Sequence, residues 1–219
     1  MQAVVQVGGI EGKILDIDKL PTYEEARRLM HHFFEGIDEY EFQSRPGKST
    51  PWEEWCVKNG VHTVYNVEFV DALAEKIRSF NETPVVEVCA GNGKLTRQLR
   101  KRGIPVTATD DYSWGLSTDE NSVERLSHKA ALEKYKPRIV VASWLSPSIL
   151  IALDILEFQS VDYFIVIDSG SVGWLHDATK FKKECLKEIG RYNICMHDSP
   201  WKSDTGMAEL YSREQLTLW

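Results

Sequence analysis

The sequence is short of the features that mark several broad classes of protein. Its 219 residues hold four cysteines, Cys56, Cys89, Cys185 and Cys195, and no CxxC pair. A chain of this length can bury a substantial core without disulfides, so the scatter fits a reducing compartment. Long apolar runs are missing too. The most apolar stretch, Ile149 to Leu156, carries Asp154 and falls far below the roughly 20 residues that cross a bilayer. The opening, MQAVVQVGGIEGKI, has no basic region ahead of its short apolar run and does not read as a secretory signal. Positive charge is in deficit: 26 Lys+Arg stand against 33 Asp+Glu, a formal charge of -7. The field of the whole protein therefore repels a polyanion. These absences predict a cytoplasmic protein without membrane contact and argue against nucleic acid as a partner. With 27% charged residues, 14 Gly and 8 Pro, the composition excludes collagen-like, low-complexity and disordered chains.

What remains is a globular chain of two textures, divided near the polar turn at Asn81 to Pro84. This spacing predicts a helical, aromatic segment over 1–80 and an α/β unit over 81–219. In the first, Tyr23 to Tyr40 carries Ala26, Leu29, Met30, Phe33, Phe34 and Ile37 at helical spacing behind a Thr22 cap. Glu41 to Thr50 is a polar break, and Val67 to Phe80 is a second helix. In the second part, strands at Pro84 to Cys89, Ile104 to Thr109, Ser122 to Leu126, Arg138 to Trp144 and Val161 to Ile167 alternate with helices. The helices are expected at Lys94 to Arg102, Lys129 to Tyr135, Ser148 to Phe158 and Asp177 to Ile189. Lys94 to Arg102 reads as the outer, cationic face of its helix. Near-continuous apolar strands point to a mostly parallel sheet with helices on both faces, a doubly wound α/β fold. Tyr192 to His197 and Met207 to Tyr211 read as a terminal antiparallel hairpin closing one sheet edge.

Chemistry concentrates in Val85 to Asp111, VVEVCAGNGKLTRQLRKRGIPVTATDD. A strand, a glycine turn, a helix and a second strand ending in an acidic pair make a mononucleotide half-fold. Gly91 and Gly93 let the backbone approach a ligand at a helix N-terminus, and Asp110 can accept hydrogen bonds from ribose hydroxyls. A plain turn with Asp110 as a helix cap is the alternative. A dinucleotide fingerprint needs a third glycine where Thr96 stands, which disfavours NAD. Glu87, inside the preceding strand, sits badly beside a pyrophosphate but suits a ligand with an ammonium group. S-adenosylmethionine has that group, a ribose and no phosphate.

On EVCAGNG at Glu87 to Gly93 the sequence resembles the class I S-adenosylmethionine-dependent methyltransferase family, over roughly Pro84 to Gly170 and more loosely beyond. The resemblance implies a Rossmann-like, seven-stranded sheet and methyl transfer from S-adenosylmethionine. It implies that Glu87 and the backbone of Cys89, Ala90, Gly91 and Gly93 hold the methionine portion. Asp110 would hold the ribose, and Asp111 with Ser127 and His128 the adenine. Cys89 stands where a first glycine is commonest. At the fourth strand end, Ser143 and Trp144 would line the active cleft. There ASWLSPS lacks the Asn/Asp-Pro-Pro-aromatic motif of amino-group methylases. Ser127 could equally cap a helix, and Trp144 could equally be core.

Methyl transfer needs mainly proximity and orientation, with a base only for protonated nucleophiles. His128, Asp168 and Tyr112 lie near strand ends, but no side chain is assigned a catalytic role. The first 80 residues would serve as a helical lid over a small-molecule substrate, its Phe33, Phe34, Tyr40, Trp52, Trp55 and Tyr65 either packing the helices or facing the pocket. The pair His31 and His32 has no companion ligands, so no metal site is expected. VGGIEGK lacks the Ser/Thr and spacing of a phosphate loop. Two other readings stand beside the small-molecule methyltransferase: a nucleic-acid or protein methyltransferase, and an inactive nucleoside-binding partner protein.

Overall fold

Short runs of Val, Ile and Ala become strands where both faces of a sheet can be covered by helices. A computed structural model of the chain describes residues 2–40, 49–113, 122–145, 149–168, 181–201 and 207–213, with 2–7 and 149 by backbone alone. β1 (Val85–Val88), β2 (Val106–Asp110), β3 (Val123–Arg125), β4 (Ile139–Ser143) and β5 (Tyr163–Asp168) pair in parallel. β7 (Met207–Arg213) is antiparallel to β5 and to β6 (Phe181–Cys185), giving the order β3-β2-β1-β4-β5-β7-β6.

Eight helices of the described residues surround the sheet: α1 (Gln2–Leu15), α2 (Tyr23–His32), α3 (Pro51–Lys58), α4 (Val67–Phe80), α5 (Lys94–Lys101), α6 (His128–Tyr135), α7 (Ile149–Glu157) and α8 (Lys187–Gly190). The strands alternate between two cores. Val85, Val106, Ile139 and Ile165 meet α4, α5 and α8 through Phe69, Leu73, Leu95, Leu99 and Ile189. Their neighbours Val86, Val140 and Phe164 meet α6 and α7 through Leu132, Ile155 and Leu156. Each such side chain, fully buried, contributes about 1.5–3 kcal/mol. A third cluster joins α1, α2 and α3 through Ile14, Leu29, Trp52 and Cys56, and takes in Val64, Ile194 and Met196. None of the described helices is long and apolar enough to cross a membrane.

Local capping explains several boundaries. Thr22 and Glu25 form a reciprocal capping box, Thr50 caps α3 ahead of Pro51, and Asn66 caps α4. The segment 41–48 of the expected polar break lies outside the described residues.

Four expectations need correction. The helix from Tyr23 stops at His32 instead of Tyr40, followed by a turn in which Gly36 takes φ 82°. The helix expected at Asp177 to Ile189 is, within the described residues, the strand Phe181–Cys185 followed by the short α8. The hairpin is therefore formed by β6 and β7, and not by Tyr192 to His197, where only an isolated bridge joins Cys195 to Thr63. β6 misleads because it is an edge strand, FKKEC, whose half-exposed lysines protect the edge but read like a helix surface. Finally, Lys94 is buried and not on the outer face of its helix.

Candidate active site

The chain runs from β1 outward through β2 and β3, then returns to β4 and β5 on the other side of β1. That reversal splays the connections apart at the C-terminal ends of β1 and β4, where doubly wound sheets place their ligands. A cleft of about 490 Å³ lies there, within the ordinary size range of ligand pockets.

Three non-glycine residues at these strand ends hold left-handed backbone: Cys89 after β1 at φ 54°, Tyr112 after β2 at φ 60° and Trp144 after β4 at φ 58°. Such conformations cost energy and collect at sites that require them. Gly91 and Gly93 are also left-handed, and a Cβ on Gly93 would lie 2.5 Å from Val123 Cγ2, so only glycine fits there.

Beneath the turn lies Glu87, 1% exposed. The Thr96 hydroxyl donates to its Oε2 at 2.5 Å. Burial, against the opposing Thr96 hydrogen bond, raises the Glu87 carboxyl to about 7. Asp110 ties the strand ends together: Gly91 N–H donates to its Oδ2 at 2.9 Å and Tyr112 N–H to its Oδ1 at 2.7 Å. Each oxygen keeps a further acceptor position. Burial pushes the Cys89 thiol up to about 12, which leaves it a poor nucleophile at neutral pH.

The cleft lining gathers Cys89, Ala90, Gly91, Asp110, Asp111, His128, Ser143 and Trp144 from the residues singled out in the sequence. Glu87, Gly93 and Ser127 are not part of it. Glu87 and Gly93 support the turn from behind, and Ser127 is exposed, its hydroxyl accepting from Ala130 N at 3.3 Å as the cap of α6. His128 Nε2 lies 2.9 Å from Asp154 Oδ2, which fixes its ring at the edge of the cleft near Leu126 and Ile151.

The sequence reading named Tyr65 as a candidate pocket aromatic but missed the wall that precedes it, Asn59 to Thr63. It is held in place by Val64 N–H donating to Ile194 O at 2.8 Å and Met196 N–H donating to His62 O at 3.0 Å. Trp144 Nε1 donates to Thr63 Oγ1 at 2.6 Å, and the Trp144 ring lies 5.4 Å from that of His62 and 5.5 Å from that of His197. Trp144 is thus both cleft wall and packing partner of the third cluster. Of the six aromatics named in the sequence, Tyr65 lines the cleft and Phe33, Phe34, Trp52 and Trp55 pack together, while Tyr40 is exposed. Lys94, Ile14 and Met196 complete the wall. No single signal marks 59–63 in sequence, because the position of this wall depends on pairing with residues more than 120 positions away.

No family model matches the chain, and the comparison with curated proteins gives no match. Solved structures do match it. The methyltransferase domain of bacterial CtHen1-C aligns at 12% identity over 68% of this chain and 98% of that one, with a TM-score of 0.50. The 23S rRNA methyltransferase ErmE aligns at 15% identity over 68% of this chain and 69% of that one, with a TM-score of 0.43. A Staphylococcus aureus protein assigned as a caffeoyl-CoA O-methyltransferase aligns at 12% identity over 80% of this chain and 98% of that one, with a TM-score of 0.45. The strand order and the likeness to the first of these show that the chain has the Rossmann-like fold of class I S-adenosylmethionine-dependent methyltransferases.

Proposed function

We propose that the chain is an S-adenosylmethionine-dependent methyltransferase acting on an uncharged small molecule in a reducing, cytoplasmic compartment. The observation that carries this reading is one continuous cleft that joins Asp110 and the left-handed turn at Gly91 to Tyr65, Ser143 and Trp144. One half has what a phosphate-free nucleoside needs, and the other has room for an acceptor beside it.

The donor set fits S-adenosylmethionine. Asp110 offers its remaining acceptor positions to a ribose diol, with both oxygens already oriented by backbone N–H groups. Among the described residues of the lining, Lys94 is the one Lys or Arg, and its Nζ is committed to three backbone carbonyls. A pyrophosphate would find no free Lys or Arg among these residues. His128, oriented by Asp154, and Leu126 with Asp111 would meet the adenine, while Glu87 would shape the methionine side from behind the turn through Thr96. When bound, the cofactor supplies an electrophilic methyl, and Ser143 and Trp144 border the side from which an acceptor would reach it. In this reading residues 1–80 form the cover and acceptor wall and 81–219 the cofactor-binding unit.

The net charge of -7 and the lack of a free Lys or Arg among the described residues of the lining favour a small acceptor over RNA or protein. Transfer of labelled methyl from S-adenosylmethionine tests this against a small-molecule extract, total RNA and denatured protein in parallel. Label in the small-molecule fraction is expected; label confined to RNA or protein would overturn the acceptor class.

A further inference from the structure

The Asn59 to Tyr65 wall includes His62, which lines the cleft, and the surroundings of its ring define what it can do. Resting on the methyltransferase reading above, we propose that His62 takes the proton from the methyl acceptor, and that this acceptor is an uncharged molecule bearing a phenol-type hydroxyl bound between His62 and Ser143.

His62 is fixed at both ends. Its carbonyl accepts from Met196 N–H at 3.0 Å, its ring lies 5.4 Å from that of Trp144, and its Nδ1 lies 3.4 Å from Met196 Sδ. A thioether sulfur can only accept, so Nδ1 carries the hydrogen and Nε2 carries the lone pair. His62 lines the cleft, and in this proposal, with Nδ1 turned to sulfur, the lone pair of Nε2 points toward the acceptor. Burial holds its pKa below the ordinary 6.5, with the charge of a protonated His197 as the second cause. His197 is in turn 3.4 Å from Glu53 Oε1, while the groups touching His62 itself, Trp144 and Met196, are uncharged.

Ser143 supplies the second fixed point. Its hydroxyl is buried at the end of β4 and lines the cleft; among the described residues it makes no hydrogen bond of good geometry, and the Tyr65 hydroxyl is the polar group beside it. A buried hydroxyl in this state is stabilised by a bound polar atom, which the oxygen of an acceptor provides.

The acidity of the acceptor follows from the base. A phenol, with a pKa of about 10, lies roughly 6 units nearer to any imidazole than an alkanol near the ~15.7 of water, so of the two it gives up its proton to His62 far more readily. Among the described residues of the lining an anionic acceptor finds no free Lys or Arg, since Lys94 Nζ is taken up by the carbonyls of Lys13, Ile14 and Asp16, and the carboxylates Asp110 and Asp111 stand at the end of β2, on the far side of β1 from Ser143. In the step, the hydroxyl oxygen forms a bond to the methyl carbon as the bond from that carbon to sulfur breaks. The electron pair of the broken bond stays on sulfur, and the hydroxyl proton passes to His62 Nε2 and then to water.

The test uses the full chain with labelled S-adenosylmethionine and four probes: phenol, benzyl alcohol, aniline and benzoate. Binding of S-adenosylhomocysteine is measured alongside by calorimetry. Label is expected on phenol, with kcat/KM falling at acidic pH as His62 is protonated. His62→Gln is expected to lower kcat roughly 10²- to 10⁴-fold and to lose that pH dependence, with S-adenosylhomocysteine affinity within about twofold of wild type. Added imidazole should restore part of the activity of His62→Ala, which a structural role would not allow. Independently of turnover, phenol added to the S-adenosylhomocysteine complex should shift the His62 ring resonances of the wild-type protein. Absence of transfer to phenol while S-adenosylhomocysteine binds, or an unchanged rate and pH profile in His62→Gln, overturns the proposal. Failure of S-adenosylhomocysteine to bind overturns the underlying cofactor reading instead, and the proposal with it.

Discussion

Lys94, the first residue of α5, donates from Nζ to the Ile14 carbonyl at 2.5 Å, and also to those of Lys13 and Asp16 at 3.1 and 2.8 Å. One buried ammonium thus satisfies the open carbonyls at the end of α1 and fastens them beside the glycine turn. The same face of α5 continues the contact, with Gln98 Nε2 donating to Ile17 O at 2.8 Å and Lys101 Nζ to Asp18 O at 2.7 Å. Ile14, held by this latch, lines the cleft.

Lys94→Met keeps the length of the side chain and removes its donors. It is expected to destabilise the fold by about 1–3 kcal/mol in urea unfolding and to speed amide exchange over 8–18 before any other segment. Equal exchange over 8–18 in the variant and the wild type would show that α1 is held by its apolar contacts alone.

Glu87 predicts a pH dependence of stability. Burial raises its folded-state carboxyl from 4.5 to about 7, so between those values the folded protein holds a proton that the unfolded chain has lost. Stability attributable to this group is present below about pH 4.5 and falls as the pH rises to 7. Against Glu87→Gln, which has no such titration, the wild type should lose about 3 kcal/mol over that window. Urea unfolding of both proteins at pH 4.5, 6 and 8 measures the difference, and a constant gap would mean that Glu87 stays ionised in its buried position.

Gly93 is constrained twice, by φ 73° and by Val123 Cγ2, which would stand 2.5 Å from any Cβ placed there. Gly93→Ala should cost about 2–5 kcal/mol from backbone strain and overpacking together. The double variant with Val123→Ala should recover the steric part, so that the two costs fail to add. Simple additivity would place the whole effect in the backbone.

The parts of the fold legible in sequence are those set by local pattern. Val67 to Phe80 is the helix its apolar spacing indicates, and the glycine turn between β1 and α5 stands where EVCAGNG places it. In sequence Thr96 and Glu87 look like two separate departures from a dinucleotide site, yet they are the two ends of one buried hydrogen bond. What the sequence hides depends on distant partners. Phe181–Cys185 is a strand because β7 offers it an edge, and Lys94 is buried because α1 brings its carbonyls across roughly 80 residues of chain. His62 belongs to the same class, since its place in the cleft is fixed by Met196 and Trp144.

The central claim is that the cleft holds S-adenosylmethionine with Asp110 on its ribose, and calorimetric titration tests it most directly. Wild-type protein is predicted to bind S-adenosylmethionine and S-adenosylhomocysteine with affinities in the micromolar range and not to bind NAD, while Asp110→Ala should weaken both methyl-cycle ligands at least about tenfold, as loss of charge-assisted hydrogen bonds demands. Binding of NAD, absence of binding by either methyl-cycle ligand, or unchanged affinity in Asp110→Ala would contradict the account.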